Sequence, residues 1–130
     1  MKNNEELNLP ESLHYTDEHV WVRMDGGEAV IGISDFAQDQ LGEIAFVDLP
    51  AVGTRFEAGS DFGTVESLKS VNQLYMPIPR EVVAVNEELE STPTLVNVSP
   101  YGEGWMIRIR PDASAQSLLD AAGYRTLLGL

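Results

Sequence analysis

The 130-residue chain is long enough for one domain with a real core, and its 43% hydrophobic and 22% charged residues are ordinary globular usage. A net charge of −13 argues against nucleic acid and anionic membranes as partners, because like charges repel. With no cysteine, disulfides, thiolate nucleophiles and cysteine-bound metals are excluded, so any thiol chemistry must come from a cofactor.

Residues 1–11 are polar and aperiodic and end beyond Pro10, which predicts a flexible N-terminal tail ahead of a single domain over 12–130. The start has neither the basic run nor the apolar stretch of a secretory signal, and no window is long and apolar enough for a membrane span, so a cytoplasmic protein is expected. Strand patterns begin at Leu13 to Thr16, continue over Val20 to Met24, and turn at Asp25-Gly26-Gly27 into Glu28 to Ile33, a hairpin signal. Ser34 is placed to cap a short helix whose apolar face is Phe36, Ala37 and Leu41, ending at Gly42.

Ile44 to Leu49 resumes a strand, Val52-Gly53 turns, and Arg55-Phe56 begins another short extended piece. Phe62 to Glu66 and Val71 to Tyr75 are strand-forming runs on either side of Ser67-Leu68-Lys69-Ser70, which predicts a hairpin with Lys69 at its exposed tip. Pro79-Arg80 fits the middle of a type I turn before the strand Val82 to Val85. Asn86 to Glu90 reads as an acidic loop or short helix broken by Ser91-Thr92-Pro93, Leu95 to Pro100 as irregular, and Trp105 to Arg110 as an alternating strand. Asp112 can cap a helix carrying Ala115, Leu118, Leu119 and Ala122, which Gly123 should interrupt before a last turn over Tyr124 to Leu128. The expected architecture is mainly β, an antiparallel domain with a short internal helix and C-terminal helices.

Little in this chain carries chemistry of its own. His14 and His19 are the only histidines, too few for a metal site without several placed carboxylates, and they read as packed or surface strand residues. No nucleophile elbow or phosphate loop occurs, and Glu5-Glu6 and Glu87-Glu88 lie in polar stretches that imply no pKa-raising pocket. Lys69 stands out because Lys2 is the only other lysine, while six arginines supply the remaining positive charge. A lysine amine, unlike a guanidinium, can be acylated and so carry a cofactor through an amide. The residues alone leave two readings of Lys69: an attachment site, or a solvated charge guarding a strand edge.

The spaced set around that lysine resembles the H protein family of the glycine cleavage system. Tyr15-Thr16, Glu18-His19 and Trp21-Val22 are similar to the family's opening strand, and Gly32 to Gln38 with Gln40-Leu41-Gly42 to its first helix. Gly63, Val65, Glu66-Ser67, Lys69 and Val71 fall where the family has its lipoylation motif, and Leu95-Val96-Asn97 and Pro100 to Trp105 follow in register, so the resemblance covers residues 13 to 122. It implies a barrel-sandwich hybrid of the lipoyl/biotinyl-carrier type. Function would then be carriage rather than catalysis, with no catalytic residue and lipoate covalently attached to Lys69. Glu66 is implied as a contact for the lipoylating enzyme, a lipoate ligase or transferase.

The implied partners are a pyridoxal-phosphate glycine decarboxylase, a tetrahydrofolate-dependent aminomethyltransferase and a dihydrolipoyl dehydrogenase, served by a monomer. Arg80, where the family usually has a glycine, together with Leu68, Ser70 and Met76, departs from the pattern. These departures keep open an H-like carrier for another lipoate-dependent route, such as heterodisulfide-reductase-like sulfur oxidation, and a non-lipoylated interaction module. A biotin carrier fits less well, since Leu68 and Ser70 replace the methionines that typically flank a biotinyl lysine.

Overall fold

In the computed structural model, residues 7–111 and 118–129 are described. Nine strands form two antiparallel sheets among these residues. The larger is built from β1 (His14–Tyr15), β2 (Val20–Asp25), β3 (Glu28–Ile33), β5 (Arg55–Phe56), β8 (Arg80–Val85) and β9 (Ile107–Pro111), in the spatial order β1-β2-β3-β9-β8-β5. The smaller contains β4 (Ile44–Asp48), β6 (Asp61–Ser67) and β7 (Val71–Tyr75), with β6 in the middle.

Alternation along the strands explains why two sheets form. Val20 and Val22 of β2 and Ile31 and Ile33 of β3 are buried against Val47 of β4, Val65 of β6 and Leu74 of β7, so one core is filled from both sheets. The opposite face of the larger sheet has its own cluster, in which Tyr15, Trp21 and Val30 are covered by Leu9, Leu13, Ala121 and Tyr124. The β2–β3 turn is the two-residue Gly26-Gly27 connection, with Asp25 paired to Glu28 and Gly26 at φ +63°.

Four short helices connect or cover the sheets: α1 (Asp35–Leu41), α2 (Glu88–Ser91), α3 (Leu95–Val98) and α4 (Ala121–Leu128). Ser34 caps α1 as its position predicts, its hydroxyl accepting the Ala37 N–H at 3.2 Å. Gly63 in β6 is required by close packing, because a Cβ there would lie 2.2 Å from the Asp48 carbonyl oxygen.

Several expectations are corrected. Within the tail expected over 1–11, Leu7 and Leu9 are 7% and 4% exposed. Asn8 of the same segment donates its N–H to Asp35 and accepts the Tyr101 hydroxyl. Two leucines alternating with polar residues were enough to bury this short piece, whereas residues 1–6 lie outside the described residues. Pro79-Arg80 is not the middle of a turn: the bend falls at Pro77-Ile78, and Arg80 opens β8 opposite Phe56 and Pro111. Leu95 to Val98 is a helical turn rather than irregular chain.

At the C-terminus, Asp120 caps α4 by accepting the Gly123 N–H at 2.7 Å, and Gly123 lies inside the helix instead of interrupting it. Leu119 is not helical; it exchanges both backbone hydrogen bonds with Tyr15 at 2.7 Å. The Asp112 cap and Ala115 fall outside the described residues. Trp105 precedes its strand, which starts at Ile107.

Candidate cofactor-attachment site

Lys69 lies at the tip of the β6–β7 hairpin, beyond the last strand pair Glu66–Val71. The turn lacks an Asn-Gly or Asp-Gly pair because Ser67 shapes it instead. Its backbone N–H donates to the Ser70 carbonyl at 2.8 Å, and its hydroxyl oxygen accepts the N–H groups of Lys69 and Ser70, each at 3.1 Å. The Leu68 N–H donates to the Glu43 carbonyl at 3.3 Å, tying the tip to the start of β4. The backbone under the lysine is therefore fixed while its stem is exposed to solvent.

That stem crosses to the end of α1. The Lys69 Nζ donates to the Gln40 carbonyl at 3.2 Å, and α1 has no basic residue in its own last turn. A helix ends in carbonyls that lack intrahelical partners and carry partial negative charge, so the ammonium is favourably placed there. Gly42, at φ +78°, leaves room: a Cβ on it would come 3.2 Å from the Lys69 Cε.

Asn97 of α3 fixes the same helix end from the other side. Its amide nitrogen donates to Gln38 Oε1 and the Gly42 carbonyl, both at 2.9 Å, and its oxygen accepts the Ile44 N–H at 2.9 Å. Glu66 is exposed on the outer face of β6, where Phe46 and Val71 are its cross-strand neighbours, and these are 50% and 60% exposed. Leu68, at 73% exposed, extends that apolar strip to the hairpin tip.

Between α1 and β7 runs a groove of about 540 Å³. Phe36, Ala37, Gln40 and Leu41 form its α1 wall, Val71, Asn72 and Leu74 its β7 wall, and Ile33 and Val65 its floor. Gln40 and Val71 set the Lys69 end of this groove, since the first holds the ammonium and the second follows the hairpin turn. Glu18 and His19 also line it.

His19 is not a strand residue. It closes the loop between β1 and β2, where the Thr16 N–H donates to the Val20 carbonyl at 2.9 Å and the His19 N–H to the Thr16 carbonyl at 3.1 Å. It is the only non-glycine with positive φ, +67°, among the described residues. A turn closed by a left-handed residue in this way normally takes glycine. The imidazole Nδ1 lies 2.8 Å from the Tyr124 hydroxyl, and the ring packs tilted on Phe36 with centroids 5.1 Å apart.

Burial pushes the His19 pKa below its ordinary value, against the opposing pull of the Glu18 and Asp17 charges. Burial also raises the Tyr124 hydroxyl to about 12, with the Ser34 hydrogen bond acting in the other direction. Tyr124 stacks on Tyr15 at 4.6 Å with rings 2° from parallel. Sequence reading singled out Lys69 and Glu66 and missed Ser67, Gln40 and His19. Of these only His19 had a local signal, a histidine at the end of a polar Thr-Asp-Glu run where the turn wants glycine.

Two antiparallel sheets around one core, with a single lysine held on a rigid hairpin tip, define the class of barrel-sandwich carrier domains, the architecture expected. The sequence profile of the glycine cleavage H-protein matches residues 13–129. A glycine cleavage system H protein of Bacteroides thetaiotaomicron is 50% identical over 124 residues, covering 94% of this chain and 98% of that one. One from Mycobacteroides abscessus is 52% identical over 123 residues, covering 89% and 94%. The crystal structure of a glycine cleavage system H protein from Mycobacterium marinum superposes with a TM-score of 0.88 at 35% identity, over 94% of this chain and all of that one. The chain belongs to the glycine cleavage H-protein family.

Proposed function

We propose that this protein is the lipoyl carrier of a glycine cleavage system, with lipoate joined to Lys69 through an amide. The observation that carries the reading is Lys69 itself: an exposed lysine on a fixed turn, close to a groove with aliphatic and polar walls, in a chain of this family. Bound lipoate supplies a dithiolane that accepts an aminomethyl group and an electron pair; the chain supplies position and docking.

The residues present fit such a group. Ser67 fixes the backbone of the turn beneath the lysine, whose stem reaches the end of α1, and the groove offers the aliphatic walls of Ile33, Leu41, Val65 and Leu74 to an apolar arm. Acylation removes the Lys69 charge, which weakens its hold on the Gln40 carbonyl and frees the stem. Glu66, three residues before the lysine and flanked by exposed Phe46 and Val71, is the side chain we assign to recognition by the lipoate ligase or transferase.

The partners in this reading are the pyridoxal-phosphate glycine decarboxylase, the tetrahydrofolate-dependent aminomethyltransferase and the dihydrolipoyl dehydrogenase, visited in turn by one cytoplasmic, monomeric carrier domain, expected over 12–130 and extended by the packed segment at Leu7 to Leu9. A tether raises the local concentration of the reactive group once docked, so no tight complex is needed. No helix among the described residues is long and apolar enough to cross a membrane.

Arg80 lies in an ordinary strand position and so does not distinguish glycine cleavage from another lipoate-dependent route. Reconstitution does. The lipoylated chain is expected to support glycine–bicarbonate exchange by the glycine decarboxylase, and Lys69→Arg to abolish it. A lipoylated chain that supports no exchange would assign the carrier to a different pathway.

A further inference from the structure

We propose that Asp35, at the start of α1, is a positioning residue for acylation of Lys69 at the other end of that helix; this rests on the lipoyl-carrier reading. Asp35 and Gln38 are buried, at 2% and 7% exposed, so their polar atoms need partners inside the protein. One Asp35 oxygen accepts the Asn8 N–H at 2.8 Å, and the other accepts an N–H of Gln38 Nε2 at 2.7 Å. An ionised carboxylate has no hydrogen to give, so Gln38 has to turn its amide nitrogen toward Asp35.

That leaves the Gln38 oxygen to accept from Asn97 Nδ2 at 2.9 Å, and the same nitrogen donates to the Gly42 carbonyl. The Asn97 oxygen is then the atom that meets the Ile44 N–H, at 2.9 Å. One charge in the first turn thus orients two amides in succession and, through them, Gly42 and Ile44. Between these two lies Glu43, whose carbonyl accepts the Leu68 N–H, and two residues before Gly42 lies Gln40, whose carbonyl accepts from Lys69 Nζ. The relay therefore ends on both supports of the lysine.

Its other end is held from outside the helix. The Asn8 carbonyl accepts the Tyr101 hydroxyl, which itself accepts the Asp35 N–H at 2.8 Å, and Leu7 and Leu9 are buried on either side of Asn8. The Asn8 N–H is consequently a fixed donor. When activated lipoate acylates Lys69, the amide C–N bond forms, the acyl C–O bond to AMP breaks with its electron pair leaving on AMP, and the ammonium gives up two protons. A defined place for the amine favours that encounter, because a substrate chain correctly arranged for only part of the time has its apparent affinity reduced by that fraction.

The test substitutes Asp35→Asn in the full chain. Asparagine offers one acceptor oxygen to two donors, and with the Asn8 N–H fixed, Gln38 has to turn over. Asn97 turns with it, and the Ile44 N–H loses its acceptor. The side-chain amide signals of Gln38 and Asn97 should move in ¹H–¹⁵N spectra. In the lipoate ligase reaction, KM for the unmodified chain should rise about threefold with kcat unchanged.

Adding Gln38→Glu to Asp35→Asn moves the charge one step along the relay, where the new carboxylate accepts from both the substituted position 35 and Asn97. This double variant should recover the parent KM and the parent Asn97 signals. Val82→Ala, which opens a cavity beside Ile109, controls for lost stability and should leave KM unchanged. An unchanged KM in Asp35→Asn, no recovery in the double variant, or an equal rise in Val82→Ala would overturn the assignment while leaving carriage intact. Where Asp35→Asn is too unstable to assay, the double variant decides alone: a folded chain with the parent KM supports the relay, and anything less overturns it. A parent chain that takes up no lipoyl group would overturn both readings.

Discussion

Ser67 does the work that a glycine-containing turn does elsewhere, and it does so with one hydroxyl that accepts two backbone N–H groups. Ser67→Ala leaves those donors to find other partners, and urea titration should show a loss of roughly 1–2 kcal/mol. The amide protons of Lys69 and Ser70 should also exchange faster in that variant. The half-buried His19 makes a pH prediction whose sign follows from its lowered pKa. The folded state binds a proton less readily than the unfolded chain, so this contribution to stability is present above pH 6.5 and is lost as pH falls through the lower folded value.

His19→Asn should therefore lose less stability than the parent between neutral pH and pH 5, measured as the change in Tm. Tyr124 acts at the alkaline end. Its pKa is raised from 10 to about 12, and that of Tyr15 and Tyr101 is also raised, chiefly by burial. The unfolded chain releases these protons first, so stability should fall from pH 10 upward, and less steeply in Tyr124→Phe.

Among the elements, α1 is the one on which the site depends, because its first turn is joined through Ser34 to Tyr124 and its last carbonyls meet Lys69. Asn97 anchors its end through three hydrogen bonds, one of them to the Ile44 N–H that starts β4. Asn97→Ala should cost about 2–3 kcal/mol, the cost of leaving such a buried backbone donor unpaired. The loss should be accompanied by faster amide exchange at Gly42 and Leu68, because the end of α1 and the start of β4 lose their shared anchor.

Much at this scale was legible beforehand. The Ser34 cap, the Gly26-Gly27 hairpin and the lysine hairpin each rest on short-range chemistry that a sequence displays. The helix α3 and the start of α4 were not legible, because long-range contacts decide them. The buried Val96 and the bonds of Asn97 select a helical turn with no side-chain cap, and the pairing of Leu119 with Tyr15 delays the helix until Asp120. Arg80 misled because proline before it suits a turn as well as the entry to a strand, and only the pairing with Phe56 and Pro111 separates the two.

At the scale of the molecule, two sheets, a buried tyrosine network and a packed N-terminal segment form a rigid base from which one lysine projects. Carriage needs that division. In the proposed reading, the hairpin is fixed well enough for a lipoylating enzyme to find Lys69, and the acylated stem is free enough to visit several active sites. Glu66 and the exposed Phe46, Leu68 and Val71 lie beside the lysine, the face that the proposed reading uses for both recognition and docking. A net charge of −13, which acylation of Lys69 would make one unit more negative, gives the whole molecule a long-range attraction to basic surfaces that salt should weaken.

The most direct measurement is peptide mapping by mass spectrometry after incubation of the chain with a lipoate ligase, lipoate and ATP. A single lipoyl group on the peptide that contains Lys69, absent from Lys69→Arg, is the predicted result. A Lys69 peptide left unmodified under conditions that lipoylate a control H protein would contradict it.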